Sequence, residues 1–346
     1  MADHPATRRG FYRIDGDRRL ALTEFELIAR YFTRSGHERQ GVGDDCALID
    51  VGGQTLAITT DALIEHVHFF PNVDPASLGH KALAVNLSDL AAAGARPRCF
   101  LLSLSLPRAE AAWLESFSRA MFDLAAREGC ELIGGDTTRA PRIADQDGPV
   151  TLCITALGEV DRSFLRGRAG AQSGDDLWVS GELGAAALAV AHAQGRVRLA
   201  PQQLLDCQQR LDWPQPRVAL GIALRGLARA AIDVSDGLLG DLRHLMERSG
   251  VGARVHVPDV PRADTLRAID LPLQRRCVLA GGDDYELLFT ASPAEREAVA
   301  AAGRECCVAI TRIGVMTKEA GLHLTGDPGI DATLGGFDHF TGTREA

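Results

Sequence analysis

Aspartate recurs in this sequence where short apolar or glycine-rich runs end. A single aspartate at such a junction is explained by helix capping, but capping alone does not account for so many. The carboxyl ends of strands in α/β proteins are where active sites tend to lie, so these acids are candidates for one shared site. The segments are GVGDDCALID (41–50), LAITTD (56–61), NLSDL (86–90), IGGDTT (133–138), IDVSDG (232–237) and AGGDDYE (280–286).

The chemistry that such a set of carboxylates favours is cation binding. Clustered carboxylates repel a phosphate, but they bind divalent cations, and those cations bind phosphates. Thr59 and Thr60 precede Asp61, and hydroxyl and carboxylate oxygens are hard ligands that suit Mg²⁺. Gly134 and Gly135 let the backbone approach a ligand closely. The chain has no G-x-x-x-x-G-K-[ST] motif, so these residues predict phosphoryl chemistry on Mg²⁺ rather than on a P-loop.

Strands and helices alternate along the chain, which predicts an α/β protein with mixed α+β character and two domains. A polar, glycine-rich segment after residue 160 predicts the boundary between them. The predicted divisions are a mobile tail (1–20), an N-terminal domain (21–160) and a C-terminal α/β domain (161–346). The predicted helices are 22–32, 75–94, 108–128 and 238–250, with further helices before residue 230. The predicted strands are 54–61, 99–107, 131–135, 149–160, 176–181, 230–234, 253–257 and 285–291.

The clearest predicted helix begins after Asp74 and ends at Gly94. Its spacing places Lys81, Asn86 and Asp89 on one face. That face fits a solvent-exposed polar stripe as well as a site, and for Lys81 both interpretations stand. Asn86 and Asp89 are mediocre helix formers, which favours a site for this pair. In IDVSDG a strand passes into a helix, and the free amides of a helix N-terminus attract phosphate.

Composition excludes several classes of protein. The net charge is −9 with no block of five or six like charges, which argues against a nucleic-acid partner and against an anionic membrane. No stretch approaches 18 apolar residues, and the N-terminus lacks the apolar core of a signal peptide. The eight cysteines have no C-x-x-C spacing, so a disulfide framework or zinc site is not expected. These features together predict a cytoplasmic protein.

The motifs resemble those of the thiamine-monophosphate kinase family across residues 22–341, in that family's order. Part of the pattern, NLSDLAAAGA with GGDTT, is shared with aminoimidazole ribonucleotide synthetase, selenophosphate synthetase and a hydrogenase-maturation protein. The parts more specific to the thiamine family are GVGDDCA, GGDDYELLF and GFDHF. The resemblance implies the two-domain aminoimidazole ribonucleotide synthetase-like fold, with the N-terminal domain binding ATP and Mg²⁺. It also implies a homodimer paired through the N-terminal sheets.

The resemblance further implies ATP-dependent phosphorylation of thiamine monophosphate to thiamine diphosphate, with several Mg²⁺ ions in each site. The implied Mg²⁺ ligands are Asp45, Thr59, Thr60, Asp61, Asp89, Asp136, Asp233 and Asp236. The implied ATP contacts are Gly135, Asp136, Arg168 and Ser235, with Arg166 as the alternative to Arg168. The implied contacts with the thiamine phosphate are His68, Asp283 and Phe337. Asp283 departs from the family pattern, which usually has Glu there.

A phosphate monoester has a second pKa of about 6, so its oxygen is already ionised at neutral pH and needs no general base. The expected reaction is therefore direct in-line transfer, driven by positioning and electrostatics. The alternatives are another ATP-using member of the superfamily, acting on a ribonucleotide or selenide, and a Mg²⁺-dependent phosphohydrolase. The third alternative is a nucleotide sensor that binds ATP with Mg²⁺ without turning it over.

Overall fold

A computed structural model describes residues 23–33, 42–143, 146–161, 167–330, 334–337 and 339. The predicted tail (1–20) and Arg166 lie outside the described residues. None of the helices within these ranges is both long and apolar enough to cross a bilayer.

The first sheet has five strands in the order β1-β2-β7-β3-β4, antiparallel except for the parallel β3–β4 pair. Buried and partly exposed residues alternate along β7, so one face of the sheet is covered and the other is open. Helices α2 and α3 pack together in the same core. The bounds are β1 (Ala47–Val51), β2 (Gln54–Ile64), α2 (Pro75–Ala92), β3 (Arg96–Leu106), α3 (Ala111–Glu128), β4 (Glu131–Arg139) and β7 (Thr151–Val160). A small hairpin, β5 (Arg142–Ile143) with β6 (Gln146–Asp147), lies between β4 and β7.

The second sheet has six strands in the order β13-β10-β12-β8-β11-β9, and it builds a second apolar core with its helices. The strands are β8 (Asp176–Ser180), β9 (Ala228–Asp233), β10 (Gly252–His256), β11 (Leu287–Ala291), β12 (Ile310–Thr317) and β13 (Leu322–Thr325). The helices are α4 (Ala185–Ala193), α5 (Pro201–Asp212), α6 (Val218–Ala223), α7 (Leu238–Ser249), α8 (Leu271–Ala280) and α9 (Arg296–Glu305). The described residues thus form a mixed α/β fold with two large sheets, which confirms the predicted fold class.

Helix α2 lies between the two sheets and is buried on almost every side. It contacts β2, β3 and β7 of the first sheet and also α6 and β9 of the second half. A Cβ at Gly79 would lie 2.0 Å from the Phe117 carbonyl oxygen, and one at Gly221 would lie 2.1 Å from the Ala91 carbonyl oxygen. Glycine at both places therefore allows neighbouring backbones to contact each other directly. A helix that is rich in Ala and Leu on all sides is expected to be buried, which agrees with the central position of α2.

The ends of the predicted helices agree well with the structure. The Asp74 carboxylate accepts from Ala76 N at 3.3 Å, which confirms it as the N-cap of α2. Gly129 ends α3 with φ 66°, the left-handed conformation that favours glycine. A capping box is also present at Thr23 and Glu26, with bonds of 3.2 and 2.9 Å.

One helix prediction is only partly correct. In the described part of the predicted helix 22–32, which begins at residue 23, Glu24–Leu27 form the α-helix α1 and Ile28–Phe32 form a π-helical turn. The predicted elements also do not include β1, β5, β6, β12, β13, α8 and α9. Their apolar residues are interrupted by charges and glycines, which weakens the periodicity on which such predictions depend.

Candidate active site

Three aspartates from distant parts of the chain meet between the two sheets. Asp45 lies in the turn before β1, Asp89 in the last turns of α2, and Asp233 at the end of β9. Each offers a carboxylate oxygen, and these oxygens lie within 4.8 Å of one another. We call these three residues the carboxylate cluster. The sequence patterns had marked each of them, and the fold brings them together.

Neighbouring side chains orient the cluster. The Thr59 hydroxyl donates to Asp89 Oδ2, and the Ser88 hydroxyl donates to Asp233 Oδ2 at 2.7 Å. Arg168 donates to Asp45 Oδ1 from both Nη2 (2.6 Å) and Nε (3.2 Å). The structure thus places two of the predicted residues, Thr59 and Arg168, in direct contact with the carboxylate cluster.

Burial and mutual repulsion make the ionised form of these carboxylates costly. Burial, with the charge of Asp45 next, raises the pKa of Asp233 to about 8. Burial raises the pKa of Asp61 to about 6, although a hydrogen bond with Asp89 opposes the shift. Burial, followed by the charges of Asp61, Asp233 and Asp45, raises the pKa of Asp89 well above its ordinary value. Each carboxylate thus disfavours ionisation of the others, which is expected where a cation is to supply the missing positive charge.

The donor set fits a hard divalent cation such as Mg²⁺. Asp45 Oδ2 is buried and has no hydrogen-bond partner among the described residues, so one ligand atom is available without breaking a bond. All the other atoms that the cluster offers are carboxylate or hydroxyl oxygens, which Mg²⁺ prefers. Cys46 is buried next to the cluster, but burial and the nearby Asp89 raise its thiol pKa, which disfavours a thiolate ligand.

A cavity of 1140 Å³ opens beside the cluster. Asp61, Asp89, Asp233, Ser235 and Asp236 line it, and so do the predicted substrate contacts His68, Asp283 and Phe337. One concave space therefore contains most of the residues that the motifs implied.

Asp236 lies at the start of α7, where capping was the alternative explanation for its presence. The N-cap of α7 is Gly237, and the carboxylate that accepts from Asp236 N (3.3 Å) and Gly237 N (3.1 Å) is that of Asp241. Asp236 is therefore not the cap of this helix, and its carboxyl lines the cavity, with a pKa raised to about 6 chiefly by burial.

The predicted substrate residues come from three separate turns. His68 Nδ1 accepts from Ile64 N at 3.0 Å, and burial lowers the pKa of this histidine, so its neutral ring presents Nε2. Phe337 is anchored by its N–H, which donates to the Asp236 carbonyl at 3.0 Å. The His339 ring lies 5.0 Å from that of His68 and 4.9 Å from that of Phe337.

The structure does not bring the Thr60 hydroxyl to the cluster. Thr60 is among the residues that line the cavity, but neighbouring residues of a strand point to opposite faces, so its hydroxyl lies on the open face of the first sheet, while Thr59 lies on the covered face. Its hydroxyl oxygen is 3.0 Å from that of Thr155 and 3.4 Å from Cys153 Sγ. For that hydroxyl to bind the metal, β2 would have to turn its open face toward the carboxylate cluster.

Gly135 and Asp136 are also apart from the cluster within one chain. They lie on β4, an exposed edge strand, and three strand spacings separate β4 from β2. At about 4.8 Å for each spacing, that is roughly 14 Å. Gly135 is needed there because a Cβ would lie 1.8 Å from the Leu102 carbonyl oxygen.

Comparison with known proteins places the chain in a class. The family models described as AIR synthase related protein match residues 43–160 with the N-terminal domain and residues 172–327 with the C-terminal domain. The fold and the acidic site are therefore those of an AIR synthase related protein.

The relatives define the family more narrowly. The chain is 44% identical over 331 residues to the thiamine-monophosphate kinase of Escherichia coli (strain K12), covering 93% of this chain and 99% of the relative. The crystal structure of the Stenotrophomonas maltophilia K279a thiamine-monophosphate kinase superposes with TM-score 0.74 at 42% identity, covering 89% and 98% of the two chains. AaThiL complexed with AMPPCP and TMP gives TM-score 0.78 at 29% identity, covering 92% and 97%. The chain belongs to the thiamine-monophosphate kinase family.

Proposed function

We propose that this protein transfers the γ-phosphoryl group of ATP to thiamine monophosphate, giving thiamine diphosphate and ADP. The observation that carries the proposal is the carboxylate cluster beside a cavity of 1140 Å³ that Asp89 and Asp233 line. A family relationship at 44% identity over nearly the whole chain supports it, as does a related structure that binds AMPPCP, an ATP analogue, together with TMP.

The carboxylate cluster, with Asp61 and Asp236, is proposed to bind Mg²⁺, and Thr59 orients Asp89 among these ligands. Bound Mg²⁺ would offset the charge of the two phosphates and align them for in-line displacement. Arg168 neutralises Asp45 and is proposed to contact ATP together with Ser235. His68, Asp283 and Phe337 line the cavity where the thiamine rings are proposed to bind.

No side chain needs to act as general base in this scheme. The acceptor oxygen is largely ionised at neutral pH, because the second pKa of a phosphate monoester is about 6. The cavity wall accordingly has to exclude water and hold the two phosphates in line. Transfer is proposed to be direct, without a phosphorylated protein intermediate.

We also propose that the protein acts as a homodimer paired through the open face of the first sheet. That side of the domain exposes large apolar side chains, with Ile49, Leu101 and Ile133 at 43%, 39% and 59% exposure. Gly135 and Asp136 lie on the adjacent edge strand, so in a dimer they would be available to the nucleotide site of a second copy. Sedimentation velocity should give twice the monomer mass, and a monomer with full activity would contradict this pairing.

³¹P NMR tests the reaction directly. Purified protein with ATP, Mg²⁺ and thiamine monophosphate should convert the monophosphate signal into a diphosphate pair as ATP becomes ADP. A parallel sample with EDTA should show no change. Loss of phosphate from thiamine monophosphate with ATP intact would establish a phosphohydrolase instead, and ATP binding without turnover would establish a sensor.

A further inference from the structure

An ion pair joins the two halves of the protein across the cavity. Lys81 Nζ on α2 lies 2.6 Å from Asp283 Oδ1, which belongs to the loop before β11. The lysine side chain is 5% exposed and the aspartate side chain 31% exposed, so the ammonium is buried while the carboxylate reaches the cavity. Neither the Mg²⁺ site nor phosphoryl transfer, as described above, uses this lysine.

The loop that presents Asp283 is held in an unusual conformation. Asp283 and Tyr285 have φ of 67° and 51°, values that side-chain-bearing residues seldom adopt. Their N–H groups donate to the carbonyls of Ser235 and Val234, both at 2.8 Å. Such strain persists only where the surroundings hold it, and it is often found at ligand sites.

The two oxygens of the Asp283 carboxylate have different environments. Oδ1 accepts from Lys81 Nζ and also from the Tyr285 hydroxyl at 3.3 Å. Oδ2 has no hydrogen-bond partner among the described residues. The protein thus occupies one oxygen and leaves the other for a donor in the cavity.

The position of Lys81 along α2 indicates which part of the substrate it serves. Lys81, Val85 and Asp89 are spaced by four residues, so they share one face, and all three line the cavity. Eight residues at 1.5 Å each place Lys81 about 12 Å along the axis from Asp89. A substrate whose phosphate lies at the carboxylate cluster therefore has its rings, not its phosphate, near Lys81 and Asp283.

Charge balance agrees with this placement. A buried ammonium alone would repel the cationic thiazolium ring, but its pairing with Asp283 removes that repulsion. Asp212 lines the same cavity and adds another carboxylate close enough to interact with both Lys81 and Asp283. The carboxylates of Asp212 and Asp283 therefore complement an organic group that carries a positive charge and hydrogen-bond donors, in a cavity that Arg196 and Arg276 also line.

We propose that Lys81 is a positioning residue for substrate recognition. Its ammonium holds the Asp283 carboxylate so that Oδ2 accepts a hydrogen bond from the amino group of the substrate's aminopyrimidine ring. The inference rests on the proposed function, because it takes thiamine monophosphate as the acceptor.

The test compares Lys81→Met, Asp283→Asn and the double variant. Lys81→Met should raise KM for thiamine monophosphate about tenfold or more, the typical loss for a hydrogen bond to a charged group. The KM for ATP and the kcat at saturation should change little. Asp283→Asn should raise this KM at least as much, since it also leaves the Lys81 ammonium unpaired, and the double variant should be no worse than either single variant, because both changes remove one interaction.

Unphosphorylated thiamine, used as a competitive inhibitor, locates the contact. If Lys81 acts at the rings, Lys81→Met should weaken the binding of thiamine and the binding of thiamine monophosphate by the same factor. A loss confined to thiamine monophosphate would place Lys81 at the phosphate and overturn the proposal.

Stability measurements separate positioning from a purely structural role. The double variant has no unpaired charge, so its melting temperature should recover relative to Lys81→Met, while its KM should stay high. Recovery of both would show that the pair only joins the two halves. Arg225→Met is the matched control, since Arg225 Nε donates across the same two halves to the Gly94 carbonyl at 2.6 Å, away from the cavity. It should lower the melting temperature without changing KM.

Failure of the proposed function gives a different result. A wild-type protein that forms no thiamine diphosphate refutes the proposed reaction. Isothermal titration of thiamine monophosphate into wild type and Lys81→Met then decides the inference, and equal affinities would overturn it.

Discussion

Two sets of buried carboxylates in this protein have opposite surroundings. The Asp176 carboxylate, 2% exposed, receives Arg296 Nε at 2.6 Å and Arg312 Nη1 at 3.2 Å. The Glu286 carboxylate, 3% exposed, receives Arg217 Nε at 2.7 Å and the Ser180 hydroxyl. In the carboxylate cluster Asp45 and Asp233 are similarly buried and Asp89 is partly buried, yet among the described residues the one guanidinium bonded to these three carboxylates is that of Arg168, on Asp45.

The pKa values follow this difference. Hydrogen bonds from Arg296 and then Arg312 lower the pKa of Asp176, although burial opposes them. Burial and neighbouring carboxylates raise the pKa of Asp233 to about 8. Arginine pairing marks acids that stabilise the fold, whereas acids left with excess negative charge indicate a place for a cation. Buried aspartates in this chain therefore have two different roles, stabilising the fold or binding a cation, and the neighbouring charged residues show which role each one has.

Removing a carboxylate that lies at the carboxylate cluster and lacks an arginine partner should have the largest effect on activity. Asp61→Asn should lower kcat by about 10³-fold, because the site loses a charged oxygen aimed at the metal and phosphates. The fold should survive, since the change removes a buried carboxyl whose pKa is already raised and relieves its repulsion of Asp45 and Asp89. Steady-state kinetics and a thermal melt in EDTA would measure both quantities.

The matched control comes from the paired set. Asp176→Asn should destabilise the protein and leave kcat unchanged, because Arg296 and Arg312 lose their partner far from the cavity lining. If both variants lost activity equally, the distinction between the two sets would not hold.

Breaking an ion pair between arginine and a buried carboxylate should have the largest effect on stability. Arg217→Met leaves the Glu286 carboxylate buried without its cation and should cost roughly 3 kcal/mol of the free energy of unfolding. Denaturant unfolding would measure the loss. Adding Glu286→Gln should recover part of it by removing the buried charge, and no recovery would mean that packing rather than charge was lost.

The smallest expected effect is on the pH dependence of stability without metal. Asp233 in the folded chain keeps its proton up to about pH 8, whereas the unfolded chain releases it near 4, so stability falls as pH rises. His244, whose pKa burial lowers to about 4, acts in the opposite sense only below about pH 6.5. Between about pH 6.5 and 8 the raised carboxyls, Asp233 and Asp89, act in the same direction, and the loss from Asp233 should be about 1–2 kcal/mol.

Thermal melts at these two pH values would check this, since 1 kcal/mol shifts the melting temperature by roughly 2–4 °C in a domain of this size. Asp233→Asn should flatten the trend in EDTA, and Mg²⁺ should flatten it for the wild type. A slope that neither change alters would assign the pH dependence to groups outside the cluster.

The sequence predicted the elements whose ends carry strong local signals. Asp74 at the start of α2 and Gly129 at the end of α3 act within one turn of helix, so neighbouring residues determine them. Sequence motifs likewise identified all three members of the carboxylate cluster. The alternation of side chains along a strand is a local signal too, and it alone is enough to place the Thr60 hydroxyl on the opposite face from Asp61.

What sequence could not supply was the order of strands and the partners of distant residues. Asp136 resembles the other aspartates in its motif, but β4 lies at the edge of the first sheet and only the topology shows this. Lys81 remained ambiguous because its partner, Asp283, is 202 residues away. A pairing at that separation leaves no local pattern, since it depends on how the two sheets meet around α2.

Helix α2 also has a consequence for how this site can change over evolutionary time. Lys81 and Asp89 belong to one continuous helix whose neighbours touch its backbone at Gly79 and Ala91. Inserting or deleting one residue between them would turn one end by about 100° relative to the other and shift it by about 1.5 Å. Loops tolerate changes of length, but this segment does not. New specificities can therefore arise here only by exchanging one side chain for another on a scaffold of constant length.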